Sequence, residues 1–199
     1  MLMLDFLNEH WWLAILLVDL AMIFDFVLTV IGNRAYQKHA SSFVTYQNGY
    51  ELNPKQEKEI ASNRWLNPKL VKNIIILSLY LALIGFFGGK LPLVGWFFEF
   101  MVGGILLSRI TIILNHLSNL LFFADTRKEG AVEGHLRYSY WIGQRRAAWS
   151  HFSNTTLFLI VAALSARAFF WGGAAVCLMI GLFCLKWSKR EFYTNSPEK

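Results

Sequence analysis

Five long apolar runs constrain this chain more than any other feature of it. A backbone surrounded by hydrocarbon must satisfy its own N–H and C=O groups, and an α-helix does so within a single segment. The runs lie at about residues 10–32, 70–88, 92–124, 149–166 and 168–187, each near or above the ~20 residues that cross a bilayer. The expected fold is therefore all-α, a polytopic membrane helix bundle of about five transmembrane helices in one transmembrane domain over residues 1–199. Composition argues against a soluble domain, because 16% of the residues are charged where about 25% would be usual.

The third run exceeds what a bilayer needs, so its helix must tilt, kink at Gly103-Gly104 or extend into the cytosol. The fourth and fifth are joined by almost nothing and make a tight helical hairpin around Arg167. The first is expected to be retained rather than cleaved as a signal peptide. Asp19 and Asp25 interrupt it, no Lys or Arg precedes it, and Gly32-Asn33-Arg34 is no small-x-small cleavage site.

Basic residues alternate between the loops. None precedes the first run, seven lie between Asn33 and Lys72, one is Lys90, five fall between Asp125 and Arg146, one is Arg167, and four follow from Lys186 onward. Cytosolic loops carry the excess of Lys and Arg. The N-terminus is thus expected outside, the C-terminus in the cytosol, and loops 33–69 and 125–148 on the cytosolic side of a plasma (inner) membrane. Trp11, Trp12, Trp96 and Trp171 then mark the outer interface, and Trp65, Trp141, Trp149 and Trp187 the inner one. These loops account for the net charge of +6 through topology and attraction to anionic lipid; no nucleic-acid partner is expected. Cys177 and Cys184 stand seven apart on one helical face, too distant to bridge each other. They read as small apolar packing residues.

Leu52-Asn53-Pro54-Lys55 recurs fourteen residues later as Leu66-Asn67-Pro68-Lys69. Asn at an N-cap accepts an orphan backbone N–H, and Pro at the next position has no N–H to leave unsatisfied. Each copy therefore predicts a helix start: a short amphipathic helix over Pro54–Trp65 at the cytosolic surface, then the second span itself.

Asp25-x-x-x-Thr29 near the inner end of the first span, Glu51-x-Asn53-Pro54 in the loop and Lys72 at the start of the second span form a pattern. It resembles that of a widespread group of small multi-helix membrane proteins of uncharacterised function, and it covers about the first third of the chain. The resemblance implies no activity, only that Asp25, Glu51 and Asn53 act together.

Polar side chains within the apolar runs are the candidate functional residues. A charge at the bilayer centre costs at least ~2.5 kcal/mol, so such groups are turned inward, paired or used. They are Asp19, Asp25, Glu99, Arg109, Asn115, His116, Asn119, His151 and Asn154. With the first and third spans running in the same direction, Asp19 and Arg109 both lie about 20 Å above the cytosolic ends of their helices. They are expected to pair, as a structural ion pair fixing helix register or as a proton- or ion-linked switch in which Asp19 exchanges Arg109 for a cation. Roughly 10 Å deeper come Asp25 and His116, with His151 and Asn154 reaching that depth from the fourth span. Glu99 stands apart near the outer end.

The deeper layer also has two readings. His116 with Asn115, Ser118 and Asn119 is suited to interhelical hydrogen bonding. Asp25, His116 and His151, with Glu51 as a fourth ligand or general base, are the nitrogen and oxygen donors that zinc or another divalent transition metal prefers. Gly103-Gly104 reads as a close helix approach. No phosphate loop, dinucleotide fingerprint, His-Glu-x-x-His helix or nucleophile elbow is present.

Three functions are compatible with these residues. One is a polar intramembrane site that binds or conducts a proton, an ion or a small polar solute, in a homo-oligomer because five helices leave little room for a pore. A second is a cytosol-facing metal-dependent hydrolase. The third is an accessory subunit whose charged residues match partner membrane subunits.

Overall fold

The computed structural model describes residues 9–46, 67–126 and 134–194. Its helices are α1 (Trp11–Ala35), α2 (Pro68–Gly88), α3 (Pro92–Asp125), α4 (Tyr140–Ser165) and α5 (Ala168–Thr194). All five are long and apolar enough to cross a membrane, which is compatible with an integral membrane protein. A π-helical turn, Tyr36–Ala40, follows α1 directly. Beyond it β1 (Val44–Tyr46) pairs in parallel with β2 (Leu136–Tyr138), Val44 opposite Leu136. Hydropathy gives no sign of this ribbon, because three residues are too few to establish an alternating pattern.

The helix boundaries have local causes. Asn67 caps α2: its Oδ1 accepts from the backbone N–H groups of Lys69 (2.9 Å) and Leu70 (3.2 Å), with Pro68 in the first turn. The other Asn-Pro copy and the helix expected over Pro54–Trp65 lie outside the described residues. Helix α4 begins nine residues before the expected span, at Tyr140 rather than Trp149. Gln144, Arg145 and Arg146 are polar, yet they and Ala147 and Ala148 beside them are good helix formers, so a hydropathy window misses this stretch of helix. The turn between α4 and α5 is as tight as expected: Ala166 takes a left-handed conformation (φ 54°) and its N–H donates to Ala162 O at 2.8 Å. Such a residue closes off the last turn of a helix.

The chain divides into two compact units that share the helices. The first holds α1 up to Phe24, all of α2, α3 as far as Thr111, α4 from His151 and α5 as far as Met179; the second holds the remainder. Trp11, Trp12, Trp96 and Trp171 belong to the first unit, and Trp141, Trp149 and Trp187 to the second. Trp65 lies outside the described residues.

In the first unit, Ala14, Ile15, Val18 and Met22 of α1 pack with Leu81 of α2 and with Phe98 and Val102 of α3. A second cluster joins Leu107, Phe158, Ala174 and Cys177. The crossing of α3 and α5 requires glycine. A Cβ at Gly103 would overlap the Phe169 carbonyl group, and one at Gly172 would overlap the Phe100 carbonyl and stand 2.9 Å from Gly104 N. Backbones meet there directly, as small residues permit in membrane bundles. Helix α3 passes through this region as one uninterrupted 34-residue helix. In the second unit, Ala40 and Phe123 are fully buried against Ala35 and Tyr36.

Candidate functional site

On α1 the residues Asp25, Thr29 and Asn33 recur at every fourth position, which on a helix places them on one face. All three are buried. In the second unit this face meets His116 of α3. His116 Nε2 is 3.0 Å from Thr29 Oγ1 and 3.3 Å from Asp25 Oδ1. Thr29 Oγ1 is also 2.9 Å from the backbone oxygen of Asp25, one turn back, the usual resort of a helical Thr.

Counting hydrogens assigns the imidazole tautomer. The Thr29 hydroxyl has one hydrogen and donates it to Asp25 O, a carbonyl that can only accept. Toward His116 the hydroxyl oxygen is therefore an acceptor, and Nε2 must carry the hydrogen. That N–H is given to Thr29 Oγ1, with Asp25 Oδ1 3.3 Å from the same nitrogen, in ion-pair range, and Nδ1 is then the basic nitrogen of the neutral ring. Thr29 thus orients the ring that Asp25 faces. The side chains of His116 and Asp25 retain 16% and 11% of their exposure, so the pair is shielded without being sealed.

Around it lie polar contacts of a structural kind. Asn115 Oδ1 accepts from Ser150 Oγ at 3.0 Å, tying α3 to α4. Asn119 sits about one turn beyond His116 and is partly buried. The rings of Tyr36 and Phe123 lie 5.8 Å apart between centroids.

The remaining sequence candidates have other settings. His151 belongs to the first unit; it is buried, its backbone oxygen accepts from Thr155, and its Nδ1 has no hydrogen-bond partner among the described residues. Asn154 lies in that unit too, partly buried and engaged by neighbours. Glu99 is buried and its Oε1 accepts from the Phe169 N–H at 3.5 Å. It thereby supplies a carboxylate to the first turn of α5, where free N–H groups and the helix dipole favour negative charge. Asp19 meets Ser78 of α2, whose Oγ lies 2.8 Å from Oδ1 and 3.0 Å from Oδ2. The expected pairing with Arg109 is thus replaced by a hydroxyl, while Arg109 has contacts of its own.

Among the described residues no group of three or more His, Cys, Asp or Glu side chains comes together as a metal site. Glu51 and Asn53 lie outside the described residues. Cys177 and Cys184 are buried free thiols, with Cys177 Sγ 3.8 Å from Thr111 Oγ1.

Two members of these constellations were not singled out as site residues by sequence. Thr29 carries a signal, its fourth-residue spacing from Asp25. Ser78 carries none, because a lone Ser in an apolar helix is ordinary. The chain matches no family model, and neither a curated protein nor a solved structure matches it.

Proposed function

We propose that this is an integral membrane protein, with its N-terminus outside and its C-terminus in the cytosol of the plasma (inner) membrane, that binds or conducts a proton or small cation. The site is Asp25, Thr29 and His116. The observation that carries this reading is the close approach of His116 Nε2 to both Thr29 Oγ1 (3.0 Å) and Asp25 Oδ1 (3.3 Å), which sets a protonatable ring against a buried carboxylate. With Asp25 ionised and His116 neutral the pair has one negative charge; a proton on Nδ1 makes it an imidazolium beside a carboxylate, with no net charge. A cation can be admitted by the first state and is repelled or displaced in the second.

The hydrolase reading lacks comparable support, since Asp25 and His116 come together without a third ligand among the described residues. Anionic lipid at the basic loops, and a homo-oligomer or partner membrane subunits, belong to the same proposal.

Flux in liposomes tests it. Purified protein reconstituted with internal pH- and ion-sensitive dyes is expected to pass protons or a monovalent cation. His116→Ala and Asp25→Asn are expected to fall to the level of empty vesicles. Vesicles that stay inert to protons and every cation tried, or variants as active as the unmutated protein, would refute the reading.

A further inference from the structure

The first unit contains a carboxylate for which the site above has no use. Asp19 lies on α1 between Val18 and Met22, both members of the apolar cluster that also includes Ile15 and Leu81, with Ile74 and Leu77 of α2 packed against it. Its hydrogen-bond partner among the described residues is the hydroxyl of Ser78. The charged side chains that α2, α3 and the turn between them add to this unit are Lys69, Lys72, Lys90, Glu99 and Arg109. The three lysines are exposed, Glu99 is bonded to Phe169, and Arg109 has contacts of its own. None of these five is the hydrogen-bond partner of Asp19.

Hydrogens do not balance around Ser78. Its Oγ stands 2.8 Å from Asp19 Oδ1, 3.0 Å from Asp19 Oδ2 and 2.8 Å from the backbone oxygen of Ile74. All three are acceptors, and the hydroxyl has one hydrogen to give. If it goes to the carboxylate, the Ile74 contact has none; if it goes to Ile74, oxygen faces oxygen at Asp19, and a carboxylate in hydrocarbon keeps its charge with no donor at all.

One added cation repairs this. We propose that Asp19, Ser78 and the Ile74 carbonyl form a second site, for a proton or a sodium-sized monovalent ion. A proton taken from water onto Asp19 lets its O–H donate to Ser78 Oγ while Ser78 donates to Ile74 O, so the carboxyl group and the carbonyl are each joined to Ser78 through a hydrogen. A small metal ion would instead sit against the carboxylate and the Ser78 oxygen, both hard oxygen donors. The site lies in the other compact unit from Asp25 and His116 and does not depend on how they act.

An apolar carbodiimide distinguishes the possibilities, because it adds covalently to a protonated carboxylic acid in hydrocarbon and its position is read by mass spectrometry. Protein in lipid nanodiscs is treated with dicyclohexylcarbodiimide from acid to alkaline pH, in choline chloride and in sodium chloride. An adduct at Asp19, lost in Asp19→Asn, is expected. An adduct that sodium suppresses assigns a site shared by sodium and the proton, and one indifferent to sodium assigns the proton alone. If Asp19→Asn fails to fold, the adduct in the unmutated protein still decides. No adduct at Asp19 at any pH in choline, or labelling confined to Asp25 or Glu99, would overturn the proposal.

Discussion

Replacing Gly172 by Ala tests the packing that holds the first unit together. The added methyl would overlap the Phe100 carbonyl oxygen and stand 2.7 Å from its carbon and 2.9 Å from Gly104 N. All three are backbone atoms, so no side chain can swing aside and α3 must separate from α5. Overpacking usually costs ~1–3 kcal/mol, and a backbone obstacle puts Gly172→Ala near the upper end. Gly103→Ala meets the Phe169 backbone in the same crossing and should cost a similar amount. One separation relieves both clashes, so the double variant should lose about 3–4 kcal/mol rather than the roughly 6 of simple addition, a coupling within the range for residues in contact. Equilibrium unfolding in mixed micelles gives the four free energies of the cycle. A Gly172→Ala variant within ~0.5 kcal/mol of the unmutated protein, the usual effect of a neutral surface change, would refute direct backbone contact. Strict additivity would refute a shared separation.

Two further outcomes follow from helix ends. Glu99→Ala removes the acceptor of the Phe169 N–H and should cost about 1 kcal/mol, as lost N-caps do; Glu99→Gln, which keeps an acceptor, should recover much of it in the same unfolding assay. Asn67→Ala removes the oxygen bonded to Lys69 and Leu70 and should likewise cost about 1 kcal/mol, with Asn67→Asp restoring the cap. Equal loss in Asn67→Asp and Asn67→Ala would show that the cap is not what Asn67 contributes.

Depth along a helix was legible in this sequence, and direction around it was not. A fixed rise per residue put Asp25 and His116 at one level, and they lie 3.3 Å apart. The same reckoning put Asp19 level with Arg109, yet Asp19 meets Ser78, because residues at one height on neighbouring helices touch only if their faces are turned together. That turn is set by packing such as the Gly103 and Gly172 contacts, which a single sequence does not order. Helix α4 was foreshortened for another reason: its first turns, with Arg145 and Arg146 exposed, are helical by propensity and invisible to hydropathy. The pairing of Val44 with Leu136 joins residues ninety-two positions apart, and nothing local announces it.

The setting of His116 Nε2 against Thr29 and Asp25 is the central feature of the candidate site, and nitrogen-15 NMR of selectively labelled histidine in lipid nanodiscs reports it directly. In the neutral ring, His116 is expected to carry its hydrogen on Nε2, and Thr29→Val and Asp25→Asn are each expected to move its resonances. A neutral ring protonated on Nδ1, or a spectrum unchanged in both variants, would contradict the arrangement in which Thr29 and Asp25 both face His116 Nε2.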